Sequence, residues 1–317
     1  MKGKQFEMSA GALQKLSLFE KELNPAQPEK GSLAPRILGY GEMSTVFGFP
    51  DQKELEGIAF KRMAVFADES ELAPYEKNFQ RYNEILNSLG VETPDYGTAR
   101  GVRSGKPILY AFQKMLNPQR IGHRYIQTAS VSQTQTFLAA ILERMDIVFR
   151  HNEQEKGKFE LGLDGQISNW ALLENGSVVY IDTSTPLMRE NGVEQLDPEL
   201  FLRVCPSYLV WIIRLLFLKD VLNRYYDLRL VLIDLIANLY KEKKPDLILA
   251  FLETANEFLK NKWPDLKPID EKEIRAYYAE DARIWKIFLA FRRLERYIKT
   301  KIQKKEYALI LPENIDR

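Results

Sequence analysis

Residues 161–187 read LGLDGQISNWALLENGSVVYIDTSTPL, a run of short strand and turn character inside a half of the chain otherwise patterned for helices. Asp164 and Asn169 stand five residues apart with no helical periodicity between them. Thirteen residues beyond Asn169, the apolar strand Val178, Val179, Tyr180 and Ile181 delivers Asp182 at its end. Asx residues in loops commonly turn on their own backbone. A carboxylate at a strand end is as much at home in a cap as in a catalytic or metal site. Either way, three polar side chains are carried by loops between apolar flanks.

Upstream, residues 39–47 read GYGEMSTVF, with Gly39 and Gly41 one residue apart between apolar stretches. Such a pair marks a tight hairpin, and it also lets backbone N–H groups approach a phosphate. Twenty residues after Gly41, Lys61 alternates with Phe60 in IAFKRM, so a strand places them on opposite faces. A strand lysine is ordinarily solvated. From 37 to 115 the texture is strand-like, broken by glycines and prolines and by one polar helix pattern over 70–89. Leu13, Leu16, Phe19 and Leu23 recur at helical spacing before the linker NPAQPEKGSLAP, so the first thirty residues read as an appendage. Beyond Asn117, segments 128–149, 200–240, 245–259 and 271–304 carry apolar residues at three- and four-residue intervals. The expected organisation is α+β and two-lobed: an N-terminal helix and linker (1–32), a small β-rich N-lobe (33–116) and a larger, mainly helical C-lobe (117–317).

In order and spacing these elements resemble the protein-kinase-like superfamily over roughly residues 38–187. Gly39, Gly41 and Val46 match the family's glycine-rich loop, with Ser44 at its third glycine, and Lys61 resembles the strand lysine that holds nucleotide phosphates. Asp164 matches the catalytic-loop aspartate, Asn169 its metal-binding asparagine and Asp182 the aspartate of the metal-binding D-F-G. The resemblance implies ATP and Mg²⁺ as cofactors, with Lys61 and Asp164 catalytic and Asn169 and Asp182 holding metal. It also implies a carboxylate from helix 70–89 for Lys61, with Glu84 preferred to Glu76, and a hinge near Lys114 to Leu116 whose backbone pairs with adenine. Gly162 and Leu163 stand where protein kinases carry His and Arg, and Thr183 and Ser184 follow the metal aspartate. These departures are similar to the aminoglycoside and choline phosphotransferases, which implies a small-molecule hydroxyl as acceptor. The alternatives are a pseudokinase-type scaffold, a protein kinase or a nucleotidyl transferase on the same fold.

Composition sets the remaining bounds. Lys plus Arg number 45 against 44 for Asp plus Glu, so no global charge favours nucleic acid. One cysteine, Cys205, makes no internal disulfide, and with only His123 and His151 besides there is no zinc-like spacing. The N-terminus lacks an apolar signal core, and the greasiest window, 208–218, contains Arg214 and is too short to span a bilayer. It reads as a core helix, with Cys205 a small buried residue. A cytoplasmic protein without a membrane span is expected. Residues 286–305 form a basic amphipathic pattern, which could meet an anionic surface, but a helix packed by its apolar face with a solvated basic side is the preferred reading.

Overall fold

The computed structural model describes the chain except residues 1, 42–43, 204–221, 305–306, 308–309 and 311–317. It is mixed α+β and about half helical, with a small antiparallel sheet region and a helical part. Strands β1 (Arg36–Tyr40), β2 (Ser44–Gly48), β3 (Ile58–Met63), β4 (Tyr96–Arg103) and β5 (Lys106–Lys114) form one sheet in the order β1-β2-β3-β5-β4. Its register explains its two faces. Phe47, Phe60 and Phe112 are cross-strand partners, and so are Val46, Lys61 and Ala111 one residue along. Because side chains alternate, the first row builds an aromatic core and the second row faces the opposite side.

Helix α1 (Ala10–Glu22), capped by Ser9, covers the aromatic face. Phe19 meets Phe47 and Phe49 edge to face with centroids 5.0 Å apart in each pair. Its Glu20 is held by Arg62 through two hydrogen bonds, 2.8 Å from Nε and 2.7 Å from Nη2, and it also accepts from the Tyr110 hydroxyl. Glu20 and Arg62 are only 2% and 3% exposed. The first helix is therefore no appendage. Neither charge tolerates burial alone, so α1 is tied to the sheet by an ion pair as well as by its apolar stripe.

Helix α2 (Glu69–Leu89) starts on an Asp68 cap and stops at Gly90, whose φ of 96° suits glycine. It buries Leu72, Tyr75, Phe79, Tyr82 and Leu86 at helical spacing. The helical part follows: α3 (Gly122–Thr128), α4 (Val131–Gln154), α5 (Glu199–Arg203), α6 (Leu228–Lys241), α7 (Ile248–Lys262) and α8 (Glu271–Tyr297). Between α4 and α5 lie β6 (Phe159–Leu161), β7 (Trp170–Leu172), β8 (Val178–Tyr180), β9 (Met188–Glu190) and β10 (Val193–Glu194). β7 pairs with β8, and β10-β9-β6 form a second small sheet. The helix expected over 128–149 is α4, whose start is set at Val131 by a capping box between Ser130 and Gln133 and which runs on to Gln154. The final helix gives way to a π-helical turn at Ile298–Ile302. Cys205 and the apolar window 208–218 lie outside the described residues, as does most of the 200–240 stretch between α5 and α6. Among the described residues no helix is long and apolar enough to cross a membrane.

Glu20→Ala is expected to lower the unfolding free energy by about 3–5 kcal/mol, since it strands Arg62 in the core. Urea melts of the two proteins check this, and a loss under about 1 kcal/mol would show that Arg62 finds solvent or another partner.

Candidate functional site

The sheet face opposite α1 looks onto a cavity of about 450 Å³, a size within the range of small-ligand sites. The β1–β2 hairpin supplies one wall through Gly39, Gly41 and Val46, with Lys61 beside them. A Cβ on Gly41 would lie 2.8 Å from Ser44 Oγ and 3.6 Å from Lys61 Cε, so a side chain there would displace the serine hydroxyl and sit against Lys61. The Gly41 N–H donates to the Ser44 carbonyl at 3.0 Å, and Ser44, itself buried, closes the turn rather than lining the cavity.

The facing wall comes from the loops on either side of β7 and β8. Lys61 Nζ donates to both Asp182 oxygens, at 2.8 and 3.1 Å, and Ser184 Oγ donates to Asp182 Oδ1 at 2.9 Å. Burial works against the charged carboxylate, but the Lys61 ammonium and these hydrogen bonds outweigh it and hold Asp182 below its ordinary pKa. Asn169 lies in the same wall, and its Nδ2 donates to the Asp164 carbonyl at 3.3 Å. The Ile181 N–H reaches the Asn169 carbonyl at 2.8 Å, which ties the two loops side by side. Asp164 accepts from the Gln166 N–H at 3.2 Å, and its own N–H donates to the Tyr180 hydroxyl at 3.2 Å. Behind this loop, Gly165 is forced to be glycine: a Cβ there would come 2.5 Å from Val231 of α6. Lys61, Asn169 and Asp182, remote in sequence, thus line one cavity, whereas Asp164 lies on the adjoining loop and is not among the lining residues.

Two expectations are corrected. Among the described residues the carboxylate on Lys61 is Asp182, not Glu84 or Glu76. Glu84 is exposed, about 140° round the helix from Phe79 at 100° per residue, while Glu76 bonds Arg100 on β4. The α2 residue that lines the cavity with Lys61 and Ala111 is the buried Phe79. Lys114 also leaves the site: its Nζ pairs with Asp95 at 2.8 Å and its N–H donates to the Asp95 carbonyl. The Met115 N–H is used by the Gly57 carbonyl, whereas Leu116 does line the cavity.

Sequence reading missed how α2 holds the loops. Tyr75 Oη donates to the Ser184 carbonyl at 2.6 Å and Tyr82 Oη to the Gly162 carbonyl at 2.7 Å, both in the core. Burial and the nearby carboxylate charges push both phenols well above their ordinary range, so they remain protonated donors. The stripe Tyr75, Phe79, Tyr82 at helical spacing carried the signal. Arg36, His123 and Arg124 also line the cavity, and among the described lining residues Arg36 and Arg124 join Lys61 as permanent cations against Asp182. Burial, then the charges of Arg124 and Lys241, lower the His123 pKa to about 4, so its imidazole is neutral at pH 7. The wall carries a cationic surplus suited to an anionic ligand.

A family model matches residues 20–296, a span that contains every residue of this site. The chain belongs to DUF6206, a family of unknown function. No curated protein matches the chain. The span shared with DUF6206 begins at the buried Glu20 and runs to within one residue of the end of α8, so it includes the carboxylate that anchors α1 to the sheet.

Tyr75→Phe leaves the Ser184 carbonyl unpaired in the core and is expected to cost about 1–3 kcal/mol, read from denaturant melts. The Lys61–Asp182 pair gives a signed pH dependence. A carboxyl depressed on folding stabilises the protein above its unfolded pKa of about 3.9 and loses that contribution as the pH falls through the folded value. Thermal melts across the acid range should therefore show a shallower acid decline in Asp182→Asn than in the parent. Equal slopes would mean that the pair does not persist in solution.

Proposed function

We propose that the chain is an ATP- and Mg²⁺-dependent phosphotransferase, two-lobed and protein-kinase-like in fold, that moves the γ-phosphoryl group to a hydroxyl of a small molecule. The observation that carries this reading is Lys61 bound to both oxygens of Asp182 beneath the Gly39–Gly41 hairpin, with Asn169 in the same wall. Phosphoryl transfer asks a protein chiefly for positioning and charge neutralisation. Lys61, on leaving Asp182, has the reach and charge to hold nucleotide phosphates, and the hairpin brings backbone close to them. Asp164, on the neighbouring loop, is the group to orient the acceptor hydroxyl and accept its proton.

Asp182 and Asn169 offer oxygens of the kind Mg²⁺ prefers, and the donor set fits such an ion. Among the described residues no cluster of three or more His, Cys, Asp or Glu is present, so the remaining ligands would be phosphate oxygens and water. Bound there, the ion supplies charge neutralisation at the β- and γ-phosphates. A second reading, a nucleotide-binding scaffold without turnover, is favoured by one observation: the α2 residue that lines the cavity with Lys61 is Phe79, which has no carboxylate to fix the ammonium against phosphate.

Calorimetry with ATP and Mg²⁺, separately and together, tests the reading. Joint binding that is tighter than either alone is expected, and Asp182→Ala should abolish the metal dependence. Asp164→Asn should leave binding nearly unchanged and lower turnover by roughly 10²–10⁴-fold. Tight binding with no turnover towards any hydroxyl compound favours the scaffold, and no nucleotide binding at all removes both readings.

A further inference from the structure

Helix α8 presents two unlike sides. Inward, Leu289 and Arg292 are buried, and Phe291 and Glu295 are partly covered. Outward, the apolar side chains Ile287, Leu294 and Tyr297 are 51%, 45% and 59% exposed. Their spacing of seven and three residues puts them on one strip of the helix. Cations share the strip: Arg283, Lys286 and Arg293 are exposed and fall within the same third of the α8 circumference, and Lys301, in the π-helical turn that follows, is exposed as well. Over residues 283–297 no acid lies in that arc, Glu295 being turned aside and paired with Lys299 at 2.7 Å, while the exposed Glu280 one turn earlier has Arg224 within 3.9 Å. Just beyond the helix Ile302 is 66% exposed.

A solvated basic face needs no exposed isoleucine, leucine and tyrosine, and singly scattered apolar residues need no explanation. A continuous strip in which apolar and basic groups alternate does. A nucleic acid would satisfy the cations but leave Ile287 and Leu294 against phosphates. A second copy of the face would set cation against cation. An anionic bilayer surface meets both requirements, with lipid headgroups for the Lys and Arg side chains and the acyl boundary for the apolar ones, and tyrosine is at home between them.

We propose that the outward strip of α8 is a docking surface for an anionic membrane, on which the helix lies in the plane of the interface. This is independent of the chemistry assigned to the cavity.

Co-sedimentation of the full chain with vesicles of phosphatidylcholine alone, and of equimolar phosphatidylcholine and phosphatidylserine, is the test. Binding to the second and not the first is expected, weakening as salt is raised. Each basic residue near such a surface contributes about 1 kcal/mol, so Lys286→Glu with Lys301→Glu should weaken binding at least tenfold. Ile287→Ser with Leu294→Ser should weaken it too at unchanged salt dependence. All four positions are exposed, so melting temperatures should stay near the parent value and separate lost docking from lost folding. The proposal is overturned if the parent ignores anionic vesicles or if the charge reversals leave binding intact. It is also overturned if sedimentation velocity shows a dimer that the serine variants dissolve, or if the strip binds a duplex oligonucleotide more tightly than the vesicles.

Discussion

Two cations stand side by side on β3, and the molecule is arranged around their need for opposite charge. Arg62 points into the aromatic side of the sheet, where Glu20 of α1 meets it in the core. Lys61 points the other way, to Asp182 in the cavity wall. Strand alternation makes this unavoidable: adjacent residues cannot share a face. The first pair fastens a helix permanently to the sheet, since separating two buried charges is costly. The second is partly open to solvent, with Lys61 and Asp182 side chains 18% and 34% exposed, and is correspondingly easier to part.

Much of the fold was legible in the sequence because it is written in short periods. The alternation of IAFKRM predicts β3 and the two faces of Phe60 and Lys61, and the polar helix pattern over 70–89 predicts α2 almost to its ends. The approach of Asp164, Asn169 and Asp182 rested on a resemblance of pattern, and the structure brings the three into neighbouring loops through backbone hydrogen bonds that no spacing displays. What was illegible is long-range. Glu20 looks like one acid among many on a surface helix, and only the register of β3 against α1 gives it a buried guanidinium. Glu84 fails for a related reason. Its neighbours Ile85 and Leu86 mark an apolar face, but the rotation of a helix about its axis is set by all its buried residues together, and Tyr75, Phe79 and Tyr82 turn that face to the cavity.

The small glycines and the large tyrosines of the site do opposite work. Gly41 leaves the space beside Ser44 and Lys61 open, and Gly165 removes the atoms that would keep the Asp164 loop from resting on α6. Tyr75 and Tyr82 add reach, so that a helix packed beside the sheet touches the carbonyls of two loops that belong to the other part of the molecule. On the proposed reading, both devices serve to hold a nucleotide between the sheet and the helical part.

The grip of α2 on those loops also fixes which solution variables the site can sense. An ion pair weakens with added salt and with titration of either member. A buried phenol that donates to a carbonyl carries no net charge to screen, and with its ionisation displaced far to the alkaline side it has nothing to titrate near neutrality. Phe79, between the two tyrosines, is neutral as well, although elsewhere α2 pairs Arg81 with Glu190 and Glu71 with Arg203. Those two hydrogen bonds are therefore indifferent to ionic strength and to pH around 7, and a response of the loops to either enters through the ion pairs around them.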